Sequence, residues 1–421
     1  MAISNGVIFI WTGTNAGIPA GWERVTDLDG KYPKVISNGS TEPNTTGGSA
    51  THTHTGSSHT HTMASHTHTV SYGGSLGTNQ DSGSSDQNGI ANGHSHPSQT
   101  SGGPTSVSVS NESVTYTSVS NDPPYYTVIY ITPTTSVGGL ANLTIGLYED
   151  SDFTTNNTGK FNGYYQCDGN NSTPDLTNRY FKGASAGADA GTTGGSTTNS
   201  HTLTHTHSIS HAHAQLTTPL STGPFNNDTG GSDMASKFHT HTTTINTTNS
   251  STSDTPSTTT TETVEPSYKK ILPLQNRSNS VYTPNGIIGL WLGSLNSIPI
   301  NFELVSNYYN YYLKGTYGYL QIGDTGGSNT HTHASSTHTH SAVSHSHTGS
   351  TSTFGSDTRR DGNGEGGVRD HNHNVTVSTE NIILNSGSTT ADSSSNEPEY
   401  RTVALIKYLG EKGASILLNL I

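Results

Sequence analysis

The chain has 421 residues, of which 28% are hydrophobic and 11% charged, with a formal net charge of −13 and one cysteine. That little apolar content excludes a core scaled to the length, scattered cations exclude a phosphate-binding surface and hence nucleic acid as partner, and Cys167 alone excludes an intramolecular disulfide framework. Charged residues are also too few for a solvated disordered tail, so something other than a large apolar interior is expected to order the chain.

The N-terminal run MAISNGVIFIWTG lacks a charged leader, and no stretch of about 20 apolar residues occurs, so neither cleaved-signal secretion nor membrane insertion is expected. From Asn5, NGVIFIWTGTNAGIPAGW leads to Gly47-Gly48-Ser49, then to THTHTGSSHTHTMASHTHT (Thr51 to Thr69), and the unit closes on NDPPYYTVIYIT from Asn121. A more divergent copy begins near ANLTIGLYEDSDF at Ala141, reaches Gly194-Gly195-Ser196, and closes on VEPSYKKILPL from Val264. A third copy, NGIIGLWLGSLNSIPINF from Asn285, reaches Gly326-Gly327-Ser328 and closes on NEPEYRTVALIKYL from Asn396. Internal self-similarity of this kind divides the chain into repeats at 1–132, 133–275 and 276–410, followed by an apolar tail at 411–421.

Histidines obey the same division. Repeat one has pairs at 52/54, 59/61, 66/68 and 94/96; repeat three has 331/333, 338/340, 345/347 and 371/373; repeat two has 205/207, 211/213 and 239/241, with Asn199 and His201 in the first place. These account for all 23 histidines, so none remains for a lone catalytic role. Side chains two apart on a strand face the same way. Three such strands around one axis would therefore supply six nitrogens per layer. The expected layers are His52, His54, Asn199, His201, His331 and His333; His59, His61, His205, His207, His338 and His340; His66, His68, His211, His213, His345 and His347; and His94, His96, His239, His241, His371 and His373. Six ligands suit Fe(II), with Ni(II) and Co(II) as alternatives; Zn(II) prefers four. Up to four ions per chain are expected, about 23 Å apart if the strands are straight.

Several motifs carry a resemblance. Val7 to Gly13 with Ile18 to Trp22, the Cys-Asp-Gly and Thr-Pro-Asp-Leu runs within Tyr165 to Gly183, and Pro123 to Ile131 resemble the phage tail collar domain. Collar followed by His-x-His is similar to the receptor-binding tip of the long tail fibre of T-even coliphages, a homotrimer with a file of octahedral irons. Repeat two keeps Cys167-Asp168-Gly169 without Trp-x-Gly, and repeats one and three do the reverse. The resemblance implies collar at 1–46 and 121–132, needle legs at 47–68 and 94–120, and a tip loop at 69–93. In repeat two the needle starts from 194 with a tip loop at 214–238; in repeat three it starts from 326 with a tip loop at 348–370.

Three repeats in one polypeptide place six ligands per layer within a single chain. The expected fold is therefore all-β, elongated and fibrous: an intramolecular pseudo-trimer of intertwined strands with little conventional core. End-to-end stacking is disfavoured, because a linker of about ten residues reaches at most about 35 Å while a leg of some 20 residues is about 65 Å long.

The expected role is a virion structural protein, a tail-fibre tip or adhesin, assembled in the host cytoplasm and presenting its loops to a receptor, glycan or protein, on the host surface. Candidate contacts are Tyr72, Phe225, Phe238, Phe354, Arg359 and Arg360, since aromatic and arginine side chains anchor recognition. One alternative is a fastening or symmetry-adapter component that binds other tail or fibre proteins through the collar. In that case the tail GEKGASILLNLI docks by strand addition, or else it is a last collar strand. Another alternative is a metal storage protein. No enzyme is expected: no phosphate-binding glycine loop follows a strand, and six filled positions leave a metal none to react through. Layer one, with Asn199, is the only place where a position could open.

Overall fold

A computed structural model describes residues 2–40, 42–72, 98–101, 104–214, 216–217, 242–245, 248–251, 257–278, 282–334, 340, 343–345, 347–351, 375–382, 384 and 391–410. They are β structure with a few single 3₁₀ turns. Three nine-residue strands, Tyr125–Pro133, Tyr268–Asn276 and Tyr400–Tyr408, organise a fifteen-stranded mixed sheet. Each is only partly buried over its first three residues and almost wholly buried thereafter, as expected of an apolar run covered on both faces.

Pairing passes around the repeats in a ring. Tyr180–Gly183 of repeat two lies parallel to the closing strand of repeat one, with Tyr180 opposite Tyr125. Tyr312–Gly315 of repeat three lies parallel to that of repeat two, with Tyr312 opposite Tyr268. Tyr32–Val35 of repeat one completes the ring against repeat three, with Tyr32 opposite Tyr400. The chain is thus an intramolecular pseudo-trimer whose three units share one set of strands.

The fifteen-stranded sheet encloses a conventional apolar core drawn from all three repeats, including Phe9, Ile10, Leu28, Leu147, Phe181, Leu274, Leu290 and Leu405. The expectation of little conventional core therefore fails for this sheet; the chain's low apolar content averages two unlike regions. Beneath the core, Tyr32, Tyr180 and Tyr312 pack together fully buried, ringed by Tyr125, Tyr268 and Tyr400. Lys182 lies over the rings of Tyr32 and Tyr125, Lys314 over Tyr180 and Tyr268, and Lys34 over Tyr312 and Tyr400. Each lysine also pairs with a carboxylate: Lys182 with Asp122 at 2.6 Å, Lys314 with Glu265 at 2.5 Å, and Lys34 with Glu397. Charge neutralisation and ring contact together permit these cations to be largely buried.

The Gly-Gly-Ser motif is the passage from the large sheet to the histidine region. A Cβ on Gly47, Gly194 or Gly326 would stand 2.3, 2.6 or 2.5 Å from the hydroxyl of Tyr400, Tyr125 or Tyr268. The second glycines, Gly48, Gly195 and Gly327, have φ of +74°, +77° and +72°, a region that other residues adopt only with strain.

Beyond this point the expected continuous legs are short strands that break near the histidines. Thr51–His52 and Thr55–His59 are separated by His54, and no strand covers His61 to His68. At the first break the ring of His54 takes the Asp392 carbonyl, a group that a strand ladder could otherwise use. Partners also cross between repeats. The returning strands Glu112–Tyr116 and Pro104–Val109 of repeat one pair with Thr202–Thr204 and Ser208–His213 of repeat two. Thr242–Ile245 of repeat two pairs with Gly349–Thr351 of repeat three. Val375–Val377 of repeat three pairs with Thr69–Tyr72 of repeat one.

Thr69–Tyr72 was expected to open a tip loop and is a strand instead. Its Val70 and Tyr72 alternate inward onto Ile245 and Val377.

Candidate metal centres

Three of the four expected layers fall among the described residues. In layer one His52, His54, His201, His331 and His333 bring one ring nitrogen each to within 4.8 Å of all the others. Layer two converges His59, His61, His205 and His207 in the same way, and the His340 ring lies 4.8 to 5.0 Å from those of His61, His205 and His207. Layer three combines His66, His68, His211 and His213 with His345 and His347, which close onto His68 and His211. His338 of layer two and the whole fourth layer (His94, His96, His239, His241, His371 and His373) lie outside the described residues.

The nitrogens that face one another are the Nε2 atoms. His52 to His201, His54 to His331, His59 to His205 and His211 to His347 are each 3.2 Å apart, and His331 to His333 is 3.0 Å. Gaps of 3.0 to 3.2 Å fit either one N–H···N hydrogen bond or ligands that share a cation, and the convergence of five ring nitrogens in layer one suits the cation. With a metal–nitrogen bond of about 2.1 Å, adjacent octahedral ligands stand about 3.0 Å apart, whereas a tetrahedron would space every pair by about 3.4 Å. Five convergent nitrogens in layer one also exceed what a four-coordinate ion accepts.

The second histidine of five pairs is oriented by the preceding repeat. His201 donates Nδ1–H to the carbonyl of Thr117 at 2.6 Å, His333 to Thr260 at 2.7 Å, and His54 to Asp392 at 2.7 Å. His207 does the same to Ser110 in layer two and His68 to Ser378 in layer three, both at 2.8 Å. A carbonyl can only accept, so Nδ1 carries the proton and the Nε2 lone pair is left for the interior. Burial, reinforced by neighbouring imidazoles, pushes His52, His59, His205 and His331 down to about 4 and His211 to about 3. The rings are therefore neutral, the form that binds metal.

Small apolar groups fill the space between layers. Val114, Tyr116 and Leu203 cluster with Ala391, and Ile209 and Leu384 with Met63 and Val109. Each group draws on all three repeats. They exclude water from the approach to the imidazoles.

No family model, curated protein or solved structure matches the chain.

Of the expected recognition residues, only Tyr72 is described. It is 7% exposed, accepts a hydrogen bond from Thr243 Oγ1 at 3.2 Å and belongs to the interior rather than to an exposed loop. Phe225, Phe238, Phe354, Arg359, Arg360 and the tail at 411–421 lie outside the described residues.

Sequence reasoning also missed two asparagines. His52 Nδ1 lies 2.5 Å from Asn121 Oδ1, and Asn396 neighbours His331. The corresponding residue of repeat two is Val264, in the very repeat where histidine gives way to Asn199. That paired departure was the signal available in the sequence.

Proposed function

We propose that the chain is a virion structural protein, a tail-fibre tip or adhesin in which bound metal ions hold a histidine-lined shaft on a collar. The observation that carries this reading is the ring of strand exchange, which brings equivalent histidine pairs from three repeats into common layers within one chain. The collar motifs support placing such a chain on a phage tail, with the segments beyond layer three directed at a host receptor. Iron(II) is the favoured ion, held by the imidazoles of each layer, and it would supply cross-linking between repeats rather than chemistry on a substrate. Purified protein added to host cells before infection should block adsorption of the phage that encodes it. Full adsorption at saturating protein would overturn the adhesin reading.

One observation favours the second reading, an adapter or fastening component. Ile300, Tyr317 and Leu320 are 64%, 63% and 83% exposed, and all three belong to repeat three. Exposed large apolar side chains confined, among the described residues, to one repeat suit a partner that binds that repeat alone. Replacing these three by serine should release the protein from particles if that reading holds.

A further inference from the structure

We infer that layer one holds its ion with five imidazoles and leaves the position of Asn199 to a small exchangeable ligand, water or a small anion, which the amide hydrogen-bonds. This inference rests on the metal-binding reading above and refines it.

The backbone fixes where Asn199 stands. Thr198 and Asn199 pair with Thr263 and Glu262, as Thr51 and His52 pair with Ser120 and Val119, and as Thr330 and His331 pair with Ser395 and Ser394. The register is the same in all three repeats, so Asn199 occupies the place from which His52 and His331 reach inward. The rest of the layer is complete: five ring nitrogens still converge within 4.8 Å. An asparagine side chain is shorter than a histidine side chain. From the same backbone position its amide therefore stops short of the point that an imidazole Nε2 reaches, and a gap remains beside the five nitrogens.

The amide is poised for something that the described residues do not provide. Both Oδ1 and Nδ2 of Asn199 are buried and neither has a partner among the described residues. Leaving such atoms unpaired costs about 1 to 3 kcal/mol, and an apolar side chain would avoid that cost. Repeat two takes the apolar option at the neighbouring position, where Val264 is 1% exposed in place of Asn121 and Asn396. There the polar group had lost its purpose, because no imidazole remained to be oriented. At 199 a donor and an acceptor are retained, as a small ligand between the amide and the ion would require.

The test strips the protein with a chelator, loads it with Co(II), counts cobalt, and titrates azide while recording visible absorption. One cobalt per chain should respond saturably. A competing chelator should also extract one ion about tenfold more readily than the others, the lower end of what a lost ligand interaction costs in affinity. Asn199→His combined with Val264→Asn rebuilds the pattern of the other repeats and should abolish both the response and the distinct release phase at unchanged cobalt content. Asn199→Ala, which demands no new packing, should keep the response with weaker azide binding. A full cobalt load that ignores azide would overturn the inference while sparing the metal reading, as would a response surviving in the double variant. A chain that retains no cobalt would overturn both.

Discussion

Acidification of the metal-stripped protein offers a direct test of the histidine layers. His52, His59, His205, His211 and His331 titrate at about 3 to 4 in the folded chain, against about 6.5 when unfolded. Between these values the unfolded chain binds more protons, so stability is fully present above about pH 6.5 and declines toward pH 4. Each fully coupled histidine can contribute up to about 1.4 kcal/mol per pH unit. Counting only His52 and His211, which are 8% and 1% exposed, the loss from pH 5.5 to 4.5 is roughly 2 to 3 kcal/mol. That is a large share of the roughly 5 to 15 kcal/mol that holds a typical domain folded. Urea unfolding followed by far-ultraviolet circular dichroism at half-unit pH intervals would measure it. Metal-loaded protein should start from a higher midpoint and fall more steeply, because protons and metal compete for the same nitrogens. A midpoint that is flat or rises from pH 6.5 to 4.5 would show that the imidazoles are not buried together.

Three further outcomes are expected. Native mass spectrometry should find a single chain carrying up to four ions; prolonged chelation should lower the melting temperature, whereas free exchange with no effect on melting would favour storage. Gly48→Ala should destabilise by about 1 to 3 kcal/mol, because a Cβ there would stand 2.0 Å from the Pro398 carbonyl oxygen at a φ of +74°; an unchanged urea midpoint would contradict the described turn. Lys314→Met should cost about 3 to 5 kcal/mol by stranding Glu265 in a pair whose side chains are 7% and 12% exposed. Adding Glu265→Gln should recover much of that loss, and a double variant no better than the single would deny the coupling.

The all-β class and the convergence of the described histidines of three layers were legible because a matching order of His-x-His pairs in three copies leaves few other ways to bury so many imidazoles. The structure of the legs was not. Period-two alternation predicts strands, and His54 and His201 fit that pattern, yet their ring nitrogens take the carbonyls of Asp392 and Thr117, which no local pattern reveals. Tyr72 was misplaced because a loop and a strand end share composition, and its partners Ile245 and Val377 are distant in sequence. The lysine–tyrosine ring was hidden for the same reason: Lys34 meets Tyr312 and Tyr400, which only the order of the repeats around the large sheet brings near.

That circular hand-off has a consequence for how the molecule is made. As the ribosome releases repeat one, its outgoing segment lacks its mate: His68 waits for the carbonyl of Ser378, 310 positions later, and Lys34 for Glu397, 363 positions later. Contacts so remote carry a heavy loop-closure entropy, and chains dominated by them fold slowly. The last repeat to emerge is the one that shuts the circle. A chain truncated before it would leave two repeats with open edges, exposed to the same pairing in other copies.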